Sequence, residues 1–152
     1  MKFLIQVVNN ASVDIDGETV GKIDRGLLIF IGVCGSDSEE IADKMIRKTV
    51  NLRIFEDENG KTNLSIGDIK GSMLVVSQFT LYADCRKGNR PSFFKSGDPD
   101  HANKLYEYVL KELRSTYGIH TECGVFGADM KVSLVNDGPF TVMLDSDEIF
   151  GN

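Results

Sequence analysis

The run Met73-Leu74-Val75-Val76, followed at once by Ser77-Gln78-Phe79-Thr80, restricts the folds open to this chain more than any other stretch. Four consecutive apolar residues, two of them β-branched, read as a strand buried on both faces. No Gly or Pro separates that strand from Ser77, Gln78 and Thr80. A buried polar side chain without a hydrogen-bond partner costs about 1–3 kcal/mol. The strand must therefore leave the core at Ser77. Its polar residues either satisfy neighbouring backbone at a strand terminus or line a site that opens there.

The surrounding pattern is mostly β. Residues 3–13 alternate as a strand, and Asp16-Gly17 is a hairpin signal that leads into a return strand over 18–23. Residues 27–33 form a second fully apolar strand. A first helix opens on a capping box, with Ser36 as N-cap and Glu39 three residues later. Its buried face is Ile41, Met45, Thr49 and Leu52. A short strand is expected over 53–55, and 63–71 reads as a loop holding one helical turn.

Asp98-Pro99 starts a second helix, Asp as N-cap and Pro at the first helical position. Its stripe is Ala102, Leu105, Tyr106, Val109 and Leu113, and Gly118 closes it. Strands then follow over 119–123, 130–135 and 140–144. The last two are separated by Asn136-Asp137-Gly138-Pro139, which reads as a hairpin loop. Together these elements predict an α+β fold: one domain over 1–152, an antiparallel β-sheet or barrel with two packed helices.

Composition removes several classes of function. In 152 residues no apolar run approaches the roughly 20 needed to span a bilayer. Gln6, Asn9 and Asn10 interrupt the apolar start, so it reads as a first strand and not as a signal peptide. Three dispersed cysteines and two histidines make no metal-ligand cluster, no cofactor motif is present, and free thiols fit a reducing cytoplasm. The net charge of −6 argues against a general nucleic-acid binder. Residues 86–95 depart from it: Arg86, Lys87, Arg90 and Lys95 with no anion, and Phe93 and Phe94 among them. That run is either a solvated loop or a local basic patch.

In Gly138-Pro139 the proline donates no N–H and the glycine reaches backbone angles closed to other residues. Such a turn presents two carbonyls free of side chains. Ser77-Gln78-Phe79-Thr80-Leu81 and Asn136-Asp137-Gly138-Pro139-Phe140-Thr141, in this order, resemble the signature pair of the D-aminoacyl-tRNA deacylases. The resemblance runs along the whole chain and includes Arg90-Pro91-Ser92-Phe93 and Phe126-Gly127-Ala128-Asp129-Met130.

The resemblance implies a homodimeric β-barrel enzyme that hydrolyses the ester between a D-amino acid, or mischarged glycine, and the tRNA 3′ end. It implies that the Gly-Pro bond is cis and enters the other subunit's active site. There the carbonyls of Gly138 and Pro139 would hold the substrate α-amino group and leave no room for an L side chain.

Ser77, Gln78 and Thr80 are the catalytic candidates, with Phe79 beside the substrate. Side-chain donors, or the N–H groups around Phe79 and Thr80, would stabilise the oxyanion. Two routes stay open: a covalent one through the Thr80 hydroxyl, which needs an adjacent base, and one in which the tRNA's own 2′-hydroxyl assists water. Arg86, Lys87, Arg90 and Lys95 would grip tRNA phosphates. Two departures stand out. The family commonly has Arg where this chain has Val7, a residue thought to help fix the Gly-Pro carbonyls, and Arg where it has Val125.

Overall fold

The computed structural model describes residues 1–151. Alternation along β1 (Lys2–Ile15) builds its two layers. Phe3, Ile5 and Val7 enter one apolar cluster, while Val8, Ala11 and Val13 enter another on the opposite face. The same split recurs along β3 (Gly26–Gly32) and β6 (Ser72–Ser77). Leu27, Ile29, Met73 and Val75 go to the first cluster, Leu28, Leu74 and Val76 to the second. A sheet buried on both faces needs cover on each side. Helices α1 (Glu39–Val50) and α2 (Pro99–Ser115) supply it on the first.

Curvature supplies it on the second. The strand order is β2 (Glu18–Ile23), β1, β3, β6, β7 (Thr121–Cys123), and β8 (Lys131–Asp145) lies along the other side of β1. The free edges of β2 and β7 come close enough that a Cβ on Gly21 would lie 2.7 Å from the Cys123 carbonyl oxygen. A residue without a side chain is what permits this approach. The result is a nearly closed, barrel-like sheet.

The α+β class is as expected, but the sheet is mixed. β1 pairs antiparallel with β2, β3 and β8, whereas β3–β6 and β6–β7 are parallel. The parallel pairs arise where the chain crosses over through a helix, α1 between β3 and β6 and α2 between β6 and β7. A small hairpin, β4 (Phe55–Glu56) with β5 (Thr62–Leu64), also lies in the first crossover. β5 occupies two of the residues expected to be loop, and the turn expected after it spans Ile66–Lys70.

Three further local expectations are corrected. The N-cap of α1 is Ser38, whose Oγ accepts from the Ile41 N–H at 3.3 Å, and not Ser36. The residue between them is already engaged: the Asp37 carboxylate takes the Met1 ammonium at 2.5 Å and the Cys34 N–H at 2.7 Å. That turn delays the helix by two residues. Next, 131–145 form one continuous strand, so Asn136–Phe140 is no hairpin. Both flanks pair with β1, through Val8 with Asn136 and Gln6 with Thr141. Finally, a third helix, α3 (Ser146–Phe150), follows at once, capped by the Asp145 side chain on the Asp147 N–H.

Candidate active site

β6 leaves the core at Ser77, and the chain folds directly into a single 3-10 turn, Phe79–Tyr82. The Gln78 N–H still donates to the Ile31 carbonyl at 2.7 Å, and the Leu81 N–H closes the turn on the Gln78 carbonyl at 3.3 Å. The first N–H groups of such a turn, those of Phe79 and Thr80, have no acceptor within it. Beside it lies a cleft of about 480 Å³, walled by Ile31, Val76, Tyr106, Phe126 and Met130 and carrying Ser77, Gln78 and Phe79 at its polar end.

Thr80 stands next to this cleft and not in its wall, with its hydroxyl oxygen accepting from the Gln78 side-chain amide at 2.5 Å. Phe79 is 56% exposed. Its ring meets Phe93 edge-on, centroids 5.1 Å apart, and its carbonyl accepts from the Ser96 hydroxyl at 3.1 Å. Phe93 is thereby a support for Phe79, whereas Phe94 is 71% exposed.

Tyr106 is the one ionisable side chain in the cleft wall. Its hydroxyl donates to the Val75 carbonyl at 2.9 Å, and burial pushes its pKa well above that of an ordinary tyrosine. It stays neutral at physiological pH. Neither histidine lines the cleft. His101 lies in the first turn of α2, and His120 pairs with Glu122 at 3.3 Å. Among the described residues no histidine or carboxylate hydrogen-bonds to the Ser77 or Thr80 hydroxyl, so no nucleophile–histidine–carboxylate relay is assembled there. What the cleft offers is shape, neutral hydrogen-bond donors and a mostly apolar wall.

The basic loop divides into two parts. Arg86 is held by Asp84, its Nε at 2.8 Å from one carboxylate oxygen and its Nη2 at 2.5 Å from the other. The hydrogen bonds and charge of Arg86 hold the Asp84 carboxyl well below the usual carboxylate range. Lys87, Arg90 and Lys95 are exposed and make no direct ion pair among the described residues, although the charge of Lys95 adds to the lowering of the Asp84 pKa. Asp84 also bridges to Ser92 through backbone hydrogen bonds at 2.7 and 3.0 Å, which closes the loop at its base.

Gly138-Pro139 stands on the surface of the long β8 strand, with a cis peptide bond and Gly138 at φ +123°. A Cβ added at Gly138 would lie 3.1 Å from the Phe140 nitrogen. Opposite this excursion β1 has one residue, Val7, where β8 has four, 137–140. The Asn136 side-chain amide spans its base, its Nδ2 donating to the Val7 carbonyl at 2.9 Å and the Phe140 carbonyl at 3.0 Å.

The structure thus brings Ser77, Gln78, Phe79 and Thr80 together and leaves Gly138-Pro139 elsewhere. Ser77 is in register with Ile31 and Phe3, while the excursion lies opposite Val7, four residues further along β1. With three strand-to-strand steps between β6 and β8, the separation along the sheet is about 19 Å. Sequence reasoning missed Tyr106, Phe126 and Met130 as cleft residues: Tyr106 read as part of the buried stripe of α2, Met130 as the start of a strand, and Phe126 fell between two expected strands.

Comparisons with known proteins identify the family. A family model described as D-Tyr-tRNA(Tyr) deacylase matches residues 4–145. A D-aminoacyl-tRNA deacylase of Thermosipho melanesiensis is 53% identical over 150 residues, covering 99% of this chain and all of the relative. One of Bacillus cytotoxicus is 51% identical over 146 residues, covering 96% and 99%. Among solved structures, a protein described as c-Myc DNA unwinding element binding protein superposes with a TM-score of 0.91 at 40% identity, covering 95% of this chain and 98% of its own. A probable eukaryotic D-amino acid tRNA deacylase reaches a TM-score of 0.84 at 16% identity, covering 94% and 97%, which speaks for the fold alone. By these matches the chain belongs to the D-Tyr-tRNA(Tyr) deacylase family and is a hydrolase of the D-aminoacyl-tRNA deacylase kind.

Proposed function

We propose that this enzyme acts in the cytoplasm as a homodimer of single-domain subunits (1–152), proofreading aminoacyl-tRNA by hydrolysing D-aminoacyl and mischarged glycyl esters. The observation that carries the reading is the separation of the two motifs. Ser77, Gln78 and Phe79 line one hollow of the subunit and Gly138 lines another, so within one subunit the two motifs do not face the same aminoacyl ester. A second copy, with its exposed Gly138-Pro139 turn against the first copy's cleft, would join them. Chiral selection would then work by exclusion: the two carbonyls hold the α-ammonium and leave no space where an L side chain would project. Glycine has nothing to exclude.

In the cleft, water adds to the ester carbonyl and its oxygen becomes an oxyanion. The N–H groups of Phe79 and Thr80 and the Gln78 amide are the donors for that charge, and Ser77 orients the ester. The bond to the ribose oxygen then breaks, and that oxygen leaves with a proton. Since no histidine or carboxylate stands in the cleft wall, an RNA 2′-hydroxyl assisting the water fits better than a Thr80 nucleophile. Lys87, Arg90 and Lys95 bind acceptor-end phosphates, with Arg86 contributing less because Asp84 already neutralises it. Exposed Phe94 offers a face on which an unpaired base can stack.

The test is hydrolysis of D-Tyr-tRNA, L-Tyr-tRNA and Gly-tRNA by purified protein, beside a scattering mass. The reading expects turnover of the first and third, none of the second, and twice the chain mass. Turnover of L-Tyr-tRNA as fast as D would remove the exclusion mechanism. A fully active monomer would remove the shared site.

A further inference from the structure

We infer that Asn136 is the positioning residue that aims the Gly138-Pro139 carbonyls, and through them the residue that sets D over L selectivity. The inference rests on the reading of that turn as the substrate filter. Residues 137–140 have no partners in the β1–β8 ladder, so the ladder itself does not orient them. One side chain does. Both hydrogens of the Asn136 amide are used, one on Val7 across the strand pair and one on Phe140 at the far end of the excursion. The base of the four-residue excursion is thus tied to β1 at a fixed width. Both acceptors are carbonyl oxygens, so the atom between them must be the donor nitrogen, and the amide has one possible orientation.

The chemistry explains why the residue is Asn. Aspartate is the same shape but would set an anionic oxygen against two carbonyls. Alanine has no donor, and glutamine carries an extra methylene that moves the amide off the bridging point. Among the described residues, no other side chain donates to the backbone of 136–141. Gln6 donates to Thr141, but to its hydroxyl, at 3.2 Å. The Val7 side chain has no polar atom to contribute, so here the work falls to a neutral amide.

Three variants decide the matter: Asn136→Ala, Asn136→Ser and Gly138→Ala. Each is assayed for kcat/KM on D-Tyr-tRNA and L-Tyr-tRNA, for kcat on saturating Gly-tRNA, and for Tm. The inference expects the D/L ratio to fall about tenfold in Asn136→Ala. The loss should be smaller in Asn136→Ser, which keeps one donor, and kcat on Gly-tRNA should stay within about threefold of the parent. A residue that only stabilises the strand would lower Tm and leave the ratio alone. An unchanged ratio in both Asn136 variants, with a changed one in Gly138→Ala, overturns the role of Asn136 and spares the filter. An unchanged ratio in all three overturns the filter as well.

Discussion

The polar end of β6 and the excursion in β8 solve opposite problems. At β6, backbone is fixed by backbone: the Gln78 N–H continues the ladder to Ile31, and the 3-10 turn follows from it. Side chains project from that frame into an apolar cleft. In β8 the ladder is interrupted, a side chain fixes the backbone, and the groups presented are carbonyls. The first arrangement suits charge stabilisation at a reacting atom, and the second suits steric discrimination, since bare backbone tolerates no adjustment by rotamer changes. Damage to the two regions should therefore register in different kinetic constants.

The largest effect separating them is expected from Gln78→Ala. Losing a donor to the developing oxyanion should lower kcat by about 10²–10³, on D-Tyr-tRNA and Gly-tRNA alike. Rapid-quench single-turnover assays measure this, and a change in the D/L ratio in place of a uniform loss would merge the two regions' roles.

A smaller effect belongs to neither region but locates the cleft relative to the RNA. Combined Lys87→Ala, Arg90→Ala and Lys95→Ala should raise KM for tRNA and flatten the plot of log kcat/KM against log salt by about 2 units of slope. Arg86→Ala should leave both within about twofold of the parent, because that cation is already paired.

The smallest effect sharpens the claim that the cleft wall is structural. Tyr106→Phe removes one of the two donors to the buried Val75 carbonyl, which keeps the Gly124 N–H at 3.1 Å. It should cost about 1 kcal/mol, or roughly 2–4 °C in Tm for a chain of this size. Because burial raises the Tyr106 pKa and keeps it neutral at physiological pH, the pH–rate profile should keep its shape there in this variant.

Local chemistry was legible where a residue's own neighbours decide its state. Asp98-Pro99 caps α2 as expected, its carboxylate taking the Asp100 N–H at 3.0 Å, and Asp16-Gly17 turns β1 into β2 with both residues at positive φ. Legibility failed where a distant partner intervened. Ser36 lost the cap of α1 because Asp37 is drawn to Met1, thirty-six residues away. The Asn-Asp-Gly-Pro sequence resembled a hairpin because nothing local reveals that β1 pairs with both of its flanks. The parallel pairs β3–β6 and β6–β7 follow from crossover geometry that spacing does not encode. At the site, Ser77 to Thr80 stood out because polar side chains at the end of an apolar strand demand an explanation. Asn136 did not, since an asparagine in a turn needs none.

The pairing of Lys2 with Asp145 has a temporal side. During translation β1 emerges first and its longest partner last, and at about 5–20 residues per second the wait is roughly 7–30 s. Contacts this remote in sequence also form slowly once available. In that interval β3 and β6 are already made, so the polar end of β6 can take shape on a chain that still lacks the Gly138-Pro139 excursion. Each newly made chain passes through a period in which one long side of β1 is open and the fold is unfinished. The final strand closes that side and delivers the Gly138-Pro139 turn in the same step.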